Sequence, residues 1–184
     1  VKKVVSFDFD KTLFFTPEPE TGKPIFKNVT GLDWPHRGWW GRKESLDLKV
    51  FNIPINPYVY NRYLGHREDP NTYIILATGR LASPKVDITK DVIDVLAQYK
   101  LTTEDLNGFD EIHLNPGMDT YDFKSRLFES LIRKHKPEEF IMYDDREEHL
   151  IKFAIWAQTQ RCKVTIIDVV NKKEKTYNTY GYNN

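Results

Sequence analysis

The apolar positions of this chain change their spacing several times, and each change marks an element. In the opening stretch "VVSFDFDKTLFF", apolar and polar residues alternate from Ser6 to Asp10 with the period of two of a half-buried strand. The alternation sets Asp8 and Asp10 on one side and Phe7 and Phe9 on the other. The run "TYIILAT" (Thr72 to Thr78) is continuously apolar, as a fully buried strand requires, and Val92, Val95, Leu96 and Tyr99 then recur at helical spacing. "EIHLN" (Glu111 to Asn115) predicts a third strand and Pro116-Gly117 a turn. Asp119 or Thr120 supplies a cap for a helix whose inner face is Phe123, Leu127 and Leu131. "EFIMYDD" (Glu139 to Asp145) is a fourth strand, Leu150, Phe153, Ala154 and Ala157 form a helical stripe, and "CKVTIIDVV" (Cys162 to Val170) is a fifth strand. Five strands alternating with helices predict an α/β fold: a three-layer, doubly wound, Rossmann-like parallel sheet covered on both faces.

The stretch between the first two strands breaks this rhythm. From Thr16 to about Pro57 it is rich in Pro, Gly and Trp, and its pattern supports a helix only from Pro57 to about His66. A loop of that length inside a domain is usually functional or disordered. Trp34, Trp39 and Trp40 argue against disorder. The expected organisation is one domain over residues 1–170, with residues 16–57 inserted as a flap or small cap. A polar tail, residues 171–184, fits a short hairpin or a frayed end.

Composition narrows the choice of partners. The 184 residues, 40% apolar, suffice for one domain with a substantial core. Lys+Arg and Asp+Glu both number 27, so no global basic field draws in nucleic acid or an anionic membrane, and such a partner must be held locally. The lone Cys162 excludes an internal disulfide and suits a reducing compartment. No apolar run approaches the ~20 residues of a membrane span, and the N-terminus enters a strand without a signal-peptide pattern. A cytoplasmic, soluble protein is the expectation. The first residue is Val1, which fits either a processed chain or a segment of a longer one.

Ligands of open α/β sheets bind beyond the carboxyl ends of the strands. There the sequence places Asp8 and Asp10 after the first strand, Thr78, Gly79 and Arg80 after the second, and Asp144 and Asp145 after the fourth. Four carboxylates in one crevice raise one another's pKa values unless a cation neutralises them. An all-oxygen donor set favours Mg²⁺, which usually shares its coordination with substrate phosphate. Taken alone, "DKT" is also an ordinary turn opened by aspartate.

The ordered set "DFDKTL", "LATGR" and "YDD" resembles motifs of the haloacid dehalogenase (HAD)-like phosphatase superfamily over Val4 to about Val170. Within it, "GWW", "DTYDFK" and "YDDREEH" resemble the HAD domains of Swiss Army Knife RNA-repair-like proteins, and "DDR" resembles the phosphatase half of polynucleotide kinase-phosphatases. The resemblance implies a Mg²⁺-dependent phosphomonoester hydrolase, acting on a nucleotide or polynucleotide end through an aspartyl-phosphate. It makes Asp8 the nucleophile and Asp10 the general acid and base. Thr78 and Gly79 become phosphoryl ligands, and Lys124 the neutralising lysine. Asp8, the Asp10 carbonyl and Asp144 become metal ligands, with Asp145 holding a metal water or Lys124. Lys85 and Lys134 are alternatives to Lys124. Arg80, Trp39, Trp40, Arg146 and His149 are candidate substrate ligands, although the tryptophans fit equally well as a plug against the core. Two rival functions stay open: a small-metabolite phosphatase or 5′-nucleotidase, and an inactive module that binds phosphorylated ends.

Overall fold

Residues 1–179 are described by the computed structural model of this chain. Its strands are β1 (Lys3–Phe7), β2 (Thr72–Leu81), β3 (Glu111–Asn115), β4 (Glu139–Asp144), β5 (Lys163–Asp168) and β6 (Lys173–Tyr177). They form one sheet in the order β3-β2-β1-β4-β5-β6, parallel except for β6, which runs antiparallel to β5. The sequence pattern predicts five strands. The sixth lies in the polar tail, where "KEKTY" has no apolar run, and its charged edge position explains why.

Central strands are apolar on both faces because helices cover both. Val5, Phe7, Ile74, Leu76, Ile141 and Tyr143 point into one core, and Val4, Ile75, Ala77, Phe140 and Met142 into the other. On the first side lie α2 (Pro57–Glu68) and α3 (Thr89–Ala97), with Val59, Tyr63, Val92, Val95 and Leu96 in the shared core. On the second lie α4 (Thr120–His135) and α5 (Glu147–Ala157), through Phe128, Leu131, Phe153 and Trp156. Among the described residues, no helix is long and apolar enough to cross a membrane.

Residues 16–57 are ordered, as their tryptophans predict, and hold more regular structure than their pattern shows. They contain a 12-residue helix, α1 (Pro19–Thr30), and a 3₁₀ turn at Lys43–Leu46. Helix α1 escapes notice because Gly22 and Pro24 lie inside it, both poor helix formers. Pro19 sits at its start, where a missing N–H costs nothing, and Gly31 ends it in the left-handed conformation, donating to the Lys27 carbonyl (2.8 Å). Gly22 is needed for contact: a Cβ there would lie 2.2 Å from the Trp39 ring.

His66 illustrates how the first core treats a polar group. Its Nε2 lies 2.7 Å from the Tyr143 hydroxyl, and its ring meets Phe7 edge to face. Burial, helped by the positive charge of Arg62, lowers its pKa from 6.5 to about 4. The unfolded chain therefore binds more protons between those two values, and stability is lost as pH falls through that window. Thermal melts from pH 7 to 4 should show a shallower decline for His66→Gln than for the wild type; parallel curves would contradict the linkage.

Candidate active site

Strands β1 and β4 are neighbours from which the connections run to opposite sides, so their carboxyl ends flank the crevice of the fold. Regular pairing of β1 stops at Phe7, one residue before Asp8, whose N–H still donates to the Tyr143 carbonyl (3.1 Å). The chain then turns sharply: Lys11 takes a left-handed conformation (φ 57°), its N–H donates to the Phe14 carbonyl, and Phe9 and Phe14 are buried beneath. Asp8 and Asp10 thereby face the same cleft of about 600 Å³, and Gly79, Arg80, Thr120, Lys124, Asp145 and His149 also line it.

One ammonium serves two of the acids. Lys124 is one turn along α4 from Thr120, which directs both to the cleft. Its Nζ donates to Asp8 Oδ1 (2.9 Å) and Asp144 Oδ2 (3.3 Å), and its side chain is 3% exposed. Thr12 Oγ1 stands between Asp8 Oδ2 (3.2 Å) and Asp145 Oδ1 (3.1 Å) but has one proton to give. The Arg146 backbone N–H donates to Asp144 Oδ1 (3.0 Å). Burial pushes the Asp8 carboxyl well above the ordinary range, with Lys124 opposing and Asp144 and Asp145 reinforcing the shift. Burial and Asp144 likewise raise Asp145. Burial alone would raise Asp144 and lower Lys124. The charge of Lys124, then the neighbouring His149 and the Arg146 N–H, reverse this for Asp144, and Asp8 followed by Asp144 reverse it for Lys124. Oxygens of Asp8, Asp144 and Asp145 all lie within 4.8 Å of one another. Three acids against one ammonium make an all-oxygen set suited to a hard divalent cation.

The carboxylate of Asp10 stands apart from that cluster. Arg80 grips it with a fork, Nη2 to Oδ1 (2.7 Å) and Nε to Oδ2 (2.9 Å), and Thr16 donates to Oδ1 (2.7 Å). A bulge in β2 makes this reach possible: Thr78 pairs with Leu114 and Leu81 with Asn115, so Gly79 and Arg80 are looped out of the ladder. Gly79 fits because Thr120 Oγ1 would stand 3.0 Å from any Cβ there.

The remaining candidates divide. Thr78 is fully buried, with its hydroxyl accepting the Arg80 N–H (3.1 Å), and only its neighbours Gly79 and Arg80 line the cleft. Trp39 does not line it: the ring is 4% exposed, donates to the Pro17 carbonyl (2.8 Å) and packs on Trp34 and Phe51, which makes it a plug and corrects the expectation of a substrate ligand. Trp40 is 39% exposed, lines the cleft and lies under the Arg80 guanidinium. Arg146 lines the cleft while paired with Glu148. The His149 ring also lines it, and its buried Nδ1 has no hydrogen-bond partner and lies 3.8 Å from Asp144 Oδ2. Sequence reasoning missed Thr12, Asn115 and Ser45. Thr12 was visible as the third residue of "DKT". Buried Asn115 lines the cleft and accepts the Gly117 and Met118 N–H groups after β3.

Comparison with known proteins adds three findings. The family model described as HAD domain family 1 in Swiss Army Knife RNA repair proteins matches residues 29–179, a span that begins after Asp8 and Asp10 and includes Thr78, Gly79, Lys124, Asp144 and Asp145. A haloacid dehalogenase-like family hydrolase from Streptococcus pneumoniae superposes with a TM-score of 0.46 at 12% identity, over 82% of this chain and 79% of that one. No curated protein matches the chain.

The two adjacent tryptophans should separate cleanly by measurement. Trp39→Ala removes a buried indole and should cost about 3–5 kcal/mol in denaturant unfolding, whereas Trp40→Ala should cost about 1 kcal/mol or less. Equal losses would contradict the assigned environments.

Proposed function

The chain belongs to HAD domain family 1 of the Swiss Army Knife RNA repair proteins, and on that premise we propose that it is a Mg²⁺-dependent phosphomonoester hydrolase working through an aspartyl-phosphate. One observation carries the reading: Asp8, held by Lys124, and Asp10, held by Arg80, meet in a single cleft that Asp145 also lines, with Asp144 buried behind it on the same lysine. A binding module needs no second acid beside the first. A two-step phosphoryl transfer does.

In this mechanism Asp8 attacks phosphorus and displaces the leaving oxygen, which takes a proton from Asp10. Water then attacks the acyl phosphate, giving its proton back to Asp10 and releasing phosphate and Asp8. Lys124 orients the Asp8 carboxylate and offsets charge on the phosphoryl group. Gly79 allows its backbone to approach the phosphoryl oxygens closely. The donor chemistry of Asp8, Asp144 and Asp145 fits Mg²⁺, with the Asp10 carbonyl as a further ligand, and the ion when bound supplies Lewis-acid neutralisation of phosphate charge. Thr12 and the Arg146 N–H keep Asp145 and Asp144 turned inward.

The substrate class we infer is a phosphorylated nucleotide or polynucleotide end. Family membership supports this, as does the half-exposed Trp40 ring at the cleft, placed where a base could stack.

The deciding assay is turnover of nitrophenyl phosphate, mononucleotides and 3′- or 5′-phosphorylated oligonucleotides. Asp8→Asn should abolish turnover while preserving the melting temperature. Retained activity in a pure sample would refute the nucleophile. Chelator should stop the reaction, Mg²⁺ should restore it, and Asp144→Ala should raise the Mg²⁺ concentration required. Full turnover in chelator would remove the metal from the scheme.

Trp40→Ala reports on the substrate. If the ring stacks a base, KM for phosphorylated oligonucleotides should rise by the equivalent of about 1–3 kcal/mol while KM for nitrophenyl phosphate stays within two-fold or so. Unchanged oligonucleotide kinetics would eliminate the stacking platform.

A further inference from the structure

Arg80 is a fully committed side chain. Its guanidinium is 1% exposed, and its hydrogen bonds run in two opposite directions. Nε and Nη2 grip Asp10, while both Nη1 protons are given to the insertion: one to the Trp40 carbonyl (2.8 Å), the other to Ser45 Oγ (2.7 Å). Ser45 is itself fully buried in the 3₁₀ turn, and its hydroxyl donates onward to the Arg42 carbonyl (2.7 Å). Thr16, the first residue of the insertion, donates to the same Asp10 carboxylate. A buried guanidinium keeps a fixed orientation only while its donors are matched, because an unmet donor there costs desolvation.

We propose that Ser45 is a positioning residue for the reaction: acting through Arg80, it fixes the Asp10 carboxyl group at the angle from which, when protonated, it gives its proton to the leaving oxygen. The inference rests on the reading of Asp10 as general acid. It adds that the insertion is part of the proton-transfer apparatus as well as a cover for the cleft. The chain Arg42 carbonyl, Ser45 hydroxyl, Arg80 guanidinium, Asp10 carboxylate is continuous in the structure. Ser45 itself is absent from the cleft lining, so its influence has to pass through Arg80.

The test separates proton delivery from general damage. Nitrophenolate leaves without needing a proton, whereas an alkoxide does not, and kcat/KM reports only the steps up to expulsion of the leaving group. Ser45→Ala should lower kcat/KM for an alkyl phosphate by about ten-fold while changing that for nitrophenyl phosphate by less than about two-fold, since a small misplacement of an acid is costly only where the acid acts. Arg80→Lys keeps the charge but loses the fork, and should show the same selectivity at about 100-fold. In the Arg80→Lys background, Ser45→Ala should add nothing, because its route to Asp10 is already cut.

Losses equal for both substrates, or independent effects in the double variant, would overturn the proposal. If Ser45→Ala does not fold, Ser45→Cys, which keeps the side chain's shape but weakens its hydrogen bond, carries the same comparison. Asp10→Asn distinguishes the two levels of inference. Selectivity in Asp10→Asn without selectivity in Ser45→Ala and Arg80→Lys refutes the positioning role alone. No selectivity in Asp10→Asn refutes the acid and the positioning role together.

Discussion

Three carboxylates placed around one buried ammonium are the constraint from which the site follows. Lys124 reaches Asp8 and Asp144 from α4, which packs on the opposite face of the sheet from Phe9 and Phe14 of the loop that carries Asp8. Removing such charges from water costs several kcal/mol each, and attraction to one lysine does not return all of it. The burial that raises Asp8 and Asp145 is the same burial that packs β1 against β4. A fold that needed only stability would fill this position with apolar side chains. Keeping the acids leaves this cluster with a local charge imbalance that a cation, or an anion that brings one, can relieve.

Geometry then separates Asp8 from Asp10. Asp8 is tied to the sheet and to α4, whereas Asp10 is tied to β2 and the insertion. The bulge at Gly79 and Arg80 turns a strand that would otherwise bury alternate side chains into one that sends a guanidinium sideways into the cleft wall. A period of two cannot anticipate that direction, because the looped residues have left the pleat.

How much was legible follows from the kind of signal each residue carries. Asp8, Asp10, Asp144 and Asp145 were readable because polar residues at the ends of apolar strands interrupt a strong pattern, and the topology of parallel sheets brings such ends together. Lys124 depended on resemblance, since a lysine on a helix surface looks like any solvated one until the phase of α4 is known. Helix α1 was missed for its Gly22 and Pro24, and Ser45 because a lone serine in a loop carries no periodic mark. Trp39 and Trp40 are adjacent and chemically identical, yet one is a plug and the other a cleft wall. Only the tertiary path of the insertion distinguishes them.

The antiparallel sixth strand has a consequence for the molecule's behaviour in concentrated solution. A sheet that stopped at β5 would present the free hydrogen-bonding rim of an apolar strand, Val164 to Ile167, as a template for another chain. Strand β6 takes that rim and replaces it with one bearing Lys173, Glu174 and Lys175, all exposed. Another strand approaching this side meets alternating charges that it would have to desolvate. Strand β6 thus works as a terminator of sheet growth at this edge, guarding a hydrophobic core in which it takes little part.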